Sequence, residues 1–222
     1  MSPSSIEPSR TRTTLAAPSL LLALMLVGML LLAWPAAAQS DEVAWSFDAD
    51  APGALPEGAE LFDGAWAIQA QEDTSTPPNA LCQTGTSEFP ALSLGEATYA
   101  DLVIAARFKP ISGQEDQAGG LLFRIQDRNN YYILRANALE NNVNFYKYAG
   151  GRRSLIKEAR VPVASGQWQA LKVEAMGGSF RGYLNDQPVV EASDDSYQVC
   201  RVGLWTKADS TTCFDDVAVR AL

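Results

Sequence analysis

Histidine is missing altogether from the 222 residues. That removes imidazole bases, imidazole metal ligands and Cys-His pairs, and leaves carboxylate, lysine and tyrosine chemistry for any reaction. Positive charge is scarce, with 17 Lys and Arg against 26 Asp and Glu and a net charge of −9. Such a chain lacks the basic surface that releases counterions from nucleic acid or adheres to anionic lipid, so no nucleic-acid partner is expected and neutral partners fit better. Cysteine is limited to Cys82, Cys200 and Cys213. Three thiols allow one disulfide in any of three pairings, or three small buried apolar side chains. Long apolar runs are also absent: the longest, Leu20 to Trp34, falls short of the roughly 20 residues that cross a hydrocarbon core. The length suits one well-buried domain and is too short for two large ones.

What is present begins with an export pattern. Arg10 and Arg12 precede the apolar run, which closes on Pro35 and the small residues Ala36, Ala37 and Ala38. This is the three-part layout of a secretory signal peptide over residues 1–38, with cleavage expected between Ala38 and Gln39; the alternative is an uncleaved signal anchor. Residues 39–222 then form the mature domain, still acidic, secreted or periplasmic, without stable membrane association once the signal is removed.

The mature portion has period-two patterning. Leu102 to Phe108, Gly120 to Ile125, Tyr131 to Ala138 and Val143 to Tyr148 alternate apolar and polar residues as half-buried strands do. Clusters of Gly, Asn, Asp and Glu separate them, including the AGGRR turn at 149–153. Further strands are expected at Trp168 to Ala175, Phe180 to Leu184, Pro188 to Glu191, Val199 to Thr206 and Thr212 to Val219, about eleven in all, with loops at 51–64 and 71–78. No window has helical period. The reading is all-β, a two-sheet antiparallel sandwich or jelly roll behind a cleaved signal peptide.

The strings EDQAGGLLFRIQDRNNYYILRANALENNVNFYKY, SGQWQALKVEAMGGSFRGYLNDQPVVEASDD and RVGLWTKADSTTCFDDVAV resemble the concanavalin A-like, laminin G-like jelly rolls. More narrowly, they resemble exported bacterial domains of the 3-keto-disaccharide hydrolase type. The resemblance implies the fold more strongly than a function, since lectins, carbohydrate-binding modules, glycosidases and adhesive domains share it. Laminarinase-type glycosidases on this fold carry E-x-D-x-x-E on one strand, which places two carboxyls in one cleft. This chain has no such string. Glu115, Asp116, Glu140 and the acids of Glu191 to Asp195 fall in turns or at strand ends and read as solvated charge.

Strand parity gives a candidate site. With Leu121, Phe123 and Ile125 turned to the core, Arg124 faces outward; the same alternation exposes Arg135 and Asn137, then Asn144, Tyr146 and Tyr148, then Trp205 and Lys207. Rings that stack on sugar C–H faces and amide or cationic groups that bond hydroxyls are what a glycan site needs. The competing reading is that a loop covers Trp205 and Tyr146 and that the arginines pair with nearby aspartates. In many jelly-roll binding modules the first and last strands lie side by side and hold calcium, which would make Asp48 and Asp216, with Asp50 and Asp215, ligands of a structural ion. Val217 and Val219 inward would force Asp215 inward too, unless a bulge follows Phe214. The function expected is a non-catalytic, lectin-like domain whose partner is a glycan or polysaccharide. A hydrolase acting on a modified sugar and an adhesive or structural domain are the alternatives.

Overall fold

The computed structural model describes residues 42–222. The expected signal peptide and its expected cleavage point lie outside the described residues. Among the described residues there is no helix, and fifteen antiparallel strands form two sheets.

One sheet runs in the order β13 (Gln187–Ser193), β12 (Ser179–Leu184), β11 (Gln169–Met176), β6 (Leu102–Ser112), β15 (Thr211–Ala221), β4 (Asn79–Gln83), β3 (Trp66–Ala70), with β1 (Val43–Trp45) also on β15. The other runs β10 (Arg152–Arg160), β9 (Asn142–Ala149), β8 (Asn130–Asn137), β7 (Ala118–Asp127), β14 (Cys200–Trp205), β5 (Ala91–Tyr99), β2 (Glu60–Asp63). Two expectations change. The loop expected at 51–64 contains strand β2, and the AGGRR turn gives way at Arg152 to an edge strand of nine residues.

The inner faces meet in one core. Leu121, Phe123, Tyr132, Leu134, Val143 and Phe145 from the seven-stranded sheet pack with Ile104, Phe108, Leu171, Val173, Val217 and Val219 from the other. Parity holds along β8 and β9 because both run without a register shift between them. It fails on β7. Arg124 has a left-handed backbone, φ 52°, inside a break in the β7 to β8 register. The extra residue reverses the alternation, so Ile125 joins Leu122 on the outer face and not Phe123 in the core.

β15 is the other irregular strand. It pairs with β4 through Thr212 to Phe214 and with β1 through Val217 to Val219. The change of partner falls at a bulge at Asp215 and Asp216, where Asp216 has φ 46°. Cys82 on β4 lies directly opposite Cys213 on β15, and the two form a disulfide across the strands. Ala80 and Trp168 pack beside it.

Candidate functional site

The outer face of the seven-stranded sheet carries a second apolar cluster: Ala91, Ala118, Leu122, Ile125, Tyr131, Ile133, Tyr146 and Trp205, flanked by the half-buried Phe62, Phe89 and Tyr148. Trp205, the last residue of β14, pairs with Gly120 of β7. A Cβ at Gly120 would lie 3.4 Å from the indole and 3.0 Å from the Leu134 carbonyl; glycine leaves room for the flat ring against the sheet. Phe89, from the loop before β5, stacks on the indole with centroids 6.0 Å apart.

Arg153 closes the arrangement from β10. Its guanidinium carbon lies 4.5 Å from the centre of the Tyr146 ring, 5.2 Å from Phe89 and 5.5 Å from Trp205. Arg135 lies over Tyr146 as well, at 5.3 Å. Burial lowers the Arg153 pKa, and the neighbouring Arg135 charge acts in the same direction, against Tyr146, Asp116 and Glu140. A guanidinium stays charged through any such shift.

Beneath these rings is a polar network. Arg135 donates through Nη2 to Glu140 at 2.5 Å and to Asn142 at 2.7 Å, and its Nη1 faces Asp116 at 3.7 Å. Asn137 donates to the same Asp116 carboxylate at 2.5 Å. Asn144 donates to the Tyr146 hydroxyl at 2.9 Å. Burial pushes the Asp116 carboxyl above its usual range despite the Arg135 charge. For Glu140 burial acts upward too, but the donors Asn142 and Arg135 outweigh it and hold the carboxyl low. Asp116 is therefore not the solvated loop charge expected of it: its side chain is buried between Asn137 and Arg135.

Alternation places Arg135, Asn137, Asn144, Tyr146 and Trp205 on one face, and all five are buried there. Lys207 stays half-exposed, with its ammonium 5.1 Å from the Phe89 ring centre. Arg124 must be removed from the set. Its bulge turns the side chain to the rim of the core, where it lies over Phe180 and donates to the carbonyls of Tyr197 and Ala100 at 3.1 Å each. Apart from Tyr148 and Lys207, the residues that meet solvent are ones parity did not indicate. A groove of about 590 Å³ is lined by Glu88, Phe89, Tyr148, Gly151, Arg152, Arg153 and Ser154. The expected site residues are thus its supporting layer. Buried polar atoms without a protein partner collect in this region: Arg153 Nη1, Arg135 Nε and Asn144 Oδ1.

No family model matches the chain. Over 136 residues it is 31% identical to the levanase of Bacillus subtilis (strain 168), an alignment spanning 60% of this chain and 20% of that enzyme. The carbohydrate-binding module CBM66 of Bacillus subtilis superposes with a TM-score of 0.62 at 26% identity, over 73% of this chain and 95% of the module. A Bacillus subtilis protein of unknown function with a galectin-like fold superposes at 0.53, with 15% identity, over 73% of this chain and 88% of that one. The domain has a jelly-roll fold of the concanavalin A-like type.

In this jelly roll the first and last strands do lie side by side, but their aspartates are otherwise engaged. Asp215 is fully buried and accepts from the Thr76 backbone N–H at 2.9 Å and from the Asp216 N–H at 2.8 Å, with the Thr76 hydroxyl 3.2 Å away. Asp216 accepts from that hydroxyl at 2.9 Å, and Asp48 accepts from the Asn79 N–H at 3.3 Å. Among the described residues no group of three or more carboxylate or thiol side chains is placed to hold a metal. Asp48 and Asp216 each accept from protein donors, and the inward Asp215 is satisfied by backbone donors.

Proposed function

We propose that residues 39–222 are an exported, non-catalytic carbohydrate-binding module that takes a neutral glycan in the groove over Phe89, Tyr148 and Arg153. The observation that carries this reading is Arg153. It lines the groove, is half-exposed there, and is fixed against three rings. A preorganised donor beside half-exposed rings suits a polyhydroxylated ligand with both C–H faces and hydroxyl oxygens. Export rests on the signal pattern of residues 1–38. The non-catalytic reading is supported by the two carboxylates of the network, since Glu140 is bonded to Arg135 and Asn142, and Asp116 to Asn137.

The likeness to a levanase and to a carbohydrate-binding module makes a fructan the first glycan to test. Because the chain spans only a fifth of that levanase, the enzyme's own activity is not carried across. The test is calorimetric titration of the purified protein with levan, inulin, β-glucan and xylan, beside an assay for released reducing sugar. Binding without release is expected. Arg153→Gln should weaken binding about 10- to 100-fold, the size of a hydrogen bond from a charged donor. Sugar release, binding to none of the four, or an Arg153→Gln protein that binds as the parent does would overturn the reading.

A further inference from the structure

The groove of the proposed glycan site does not end at Phe89. A second concavity of about 310 Å³ lies on its other side, lined by Phe62, Asp63, Arg128 and Asn129 among others, and it shares Glu88, Phe89 and Tyr148 with the first. Each lobe falls within or close to the roughly 300–1,000 Å³ of small-ligand pockets, so each has room for its own ligand unit. A continuous series of rings joins them. Phe62 stacks on Tyr131 at 6.5 Å between centroids, Tyr131 on Tyr148 at 4.7 Å, and Tyr148 meets Phe89 edge-on at 5.5 Å.

The charges of the two lobes differ. Arg152 and Arg153 lie in the first, and Asp63 lies in the second with Glu88 on the boundary. Arg128, the cation of the second lobe, donates to the Phe62 carbonyl at 2.8 Å. Guanidinium groups only donate and carboxylates only accept. A ligand crossing both lobes has to accept at one end and donate at the other. A neutral sugar chain does both with its hydroxyls. A polyuronate would meet Asp63 and Glu88, and a polyamine sugar would meet Arg152 and Arg153.

We propose that the two lobes are adjoining subsites of one neutral oligosaccharide chain, so that the protein recognises at least two consecutive sugar units and not a single terminal one. This rests on the glycan reading above, and the test separates the two. The full chain is titrated with fructose and with levan-derived fructo-oligosaccharides of increasing length. Affinity should rise about tenfold from the monosaccharide to the trisaccharide, equivalent to about 1.4 kcal/mol, and then level off. Phe62→Ala should remove that rise. Asn129→Trp, at an exposed position lining only the second lobe, should do the same by filling it, and serves if Phe62→Ala unfolds. Equal affinity for all lengths, or a length effect that survives both variants, overturns the two-subsite proposal with glycan binding intact. Absence of binding at every length overturns both.

Discussion

Replacing Trp205 by alanine separates a support role from a contact role for this ring. The indole is completely buried, lies between Gly120 below and Phe89 above, and has the Arg153 guanidinium 5.5 Å from its centre. Removing a fully buried tryptophan costs about 3–5 kcal/mol through lost transfer energy and the cavity left behind. A domain of this size has roughly 5–15 kcal/mol in total and shifts by about 2–4 °C per kcal/mol. Trp205→Ala should therefore lower the melting temperature by roughly 6–20 °C. Glycan affinity should fall as well, because Phe89 and Arg153 lose the surface that fixes them. Trp205→Phe, which keeps a ring at that place, should recover most of the stability and most of the affinity. Thermal melts and titrations of the two variants with levan decide the matter. A Trp205→Ala protein with unchanged melting and abolished binding would refute the reasoning, since the ring would then be meeting the sugar itself.

The Cys82–Cys213 bridge spans 131 residues, and loop-closure entropy sets its stabilisation at about 5 kcal/mol at most; reduction should lower the denaturation midpoint, and a midpoint indifferent to reductant would exclude the bridge. Burial opposes ionisation of Asp194, but donors from Lys147, Ser196 and Tyr132 outweigh it and hold its pKa below 3.8. Its stabilisation is therefore complete above about pH 3.8 and fades as pH falls further toward the lowered folded value. Asp194→Asn should flatten that acid limb in a pH series of urea melts, and an unchanged limb would count against the assignment. Thr76→Ala should cost about 1–3 kcal/mol by removing the hydroxyl that bonds the Asp216 carboxylate, while the residue's backbone N–H still serves Asp215; if Asp215 and Asp216 instead held calcium, chelation of the parent protein would lower its melting temperature, and no shift is expected.

Strand identity and strand face were legible where the backbone is regular. β8 and β9 alternate without interruption, and Arg135, Asn137, Asn144 and Tyr146 share the face that period two assigns them. A single left-handed residue defeats the rule, because alternation carries no information about an inserted position. That is why Arg124 moved to the core rim and Ile125 to the outer face. On β15 the same kind of irregularity left a trace, since Phe214 before the Asp-Asp pair and Val217 after it cannot both face the core without a bulge.

Exposure is a separate property from face, and it was not legible. Alternation states which side of a sheet a residue leaves from, whereas cover depends on segments far away in sequence. Here the cover comes from Phe89, in a loop with no period, and from Arg153, on an edge strand that a Gly-Gly-Arg-Arg turn signal concealed. Both lie over residues that arrive from β9 and β14, so their positions follow only from the sheet order β10-β9-β8-β7-β14-β5-β2. The same order explains why the buried set remains relevant to binding. Arg135 and Tyr146 reach the groove through Arg153, which stacks on Tyr146 and whose pKa is lowered by burial and by the Arg135 charge together. A sugar held by Arg153 is thus held by a side chain whose orientation the underlying layer sets, and substitutions in that layer should change affinity without any of its members touching the ligand.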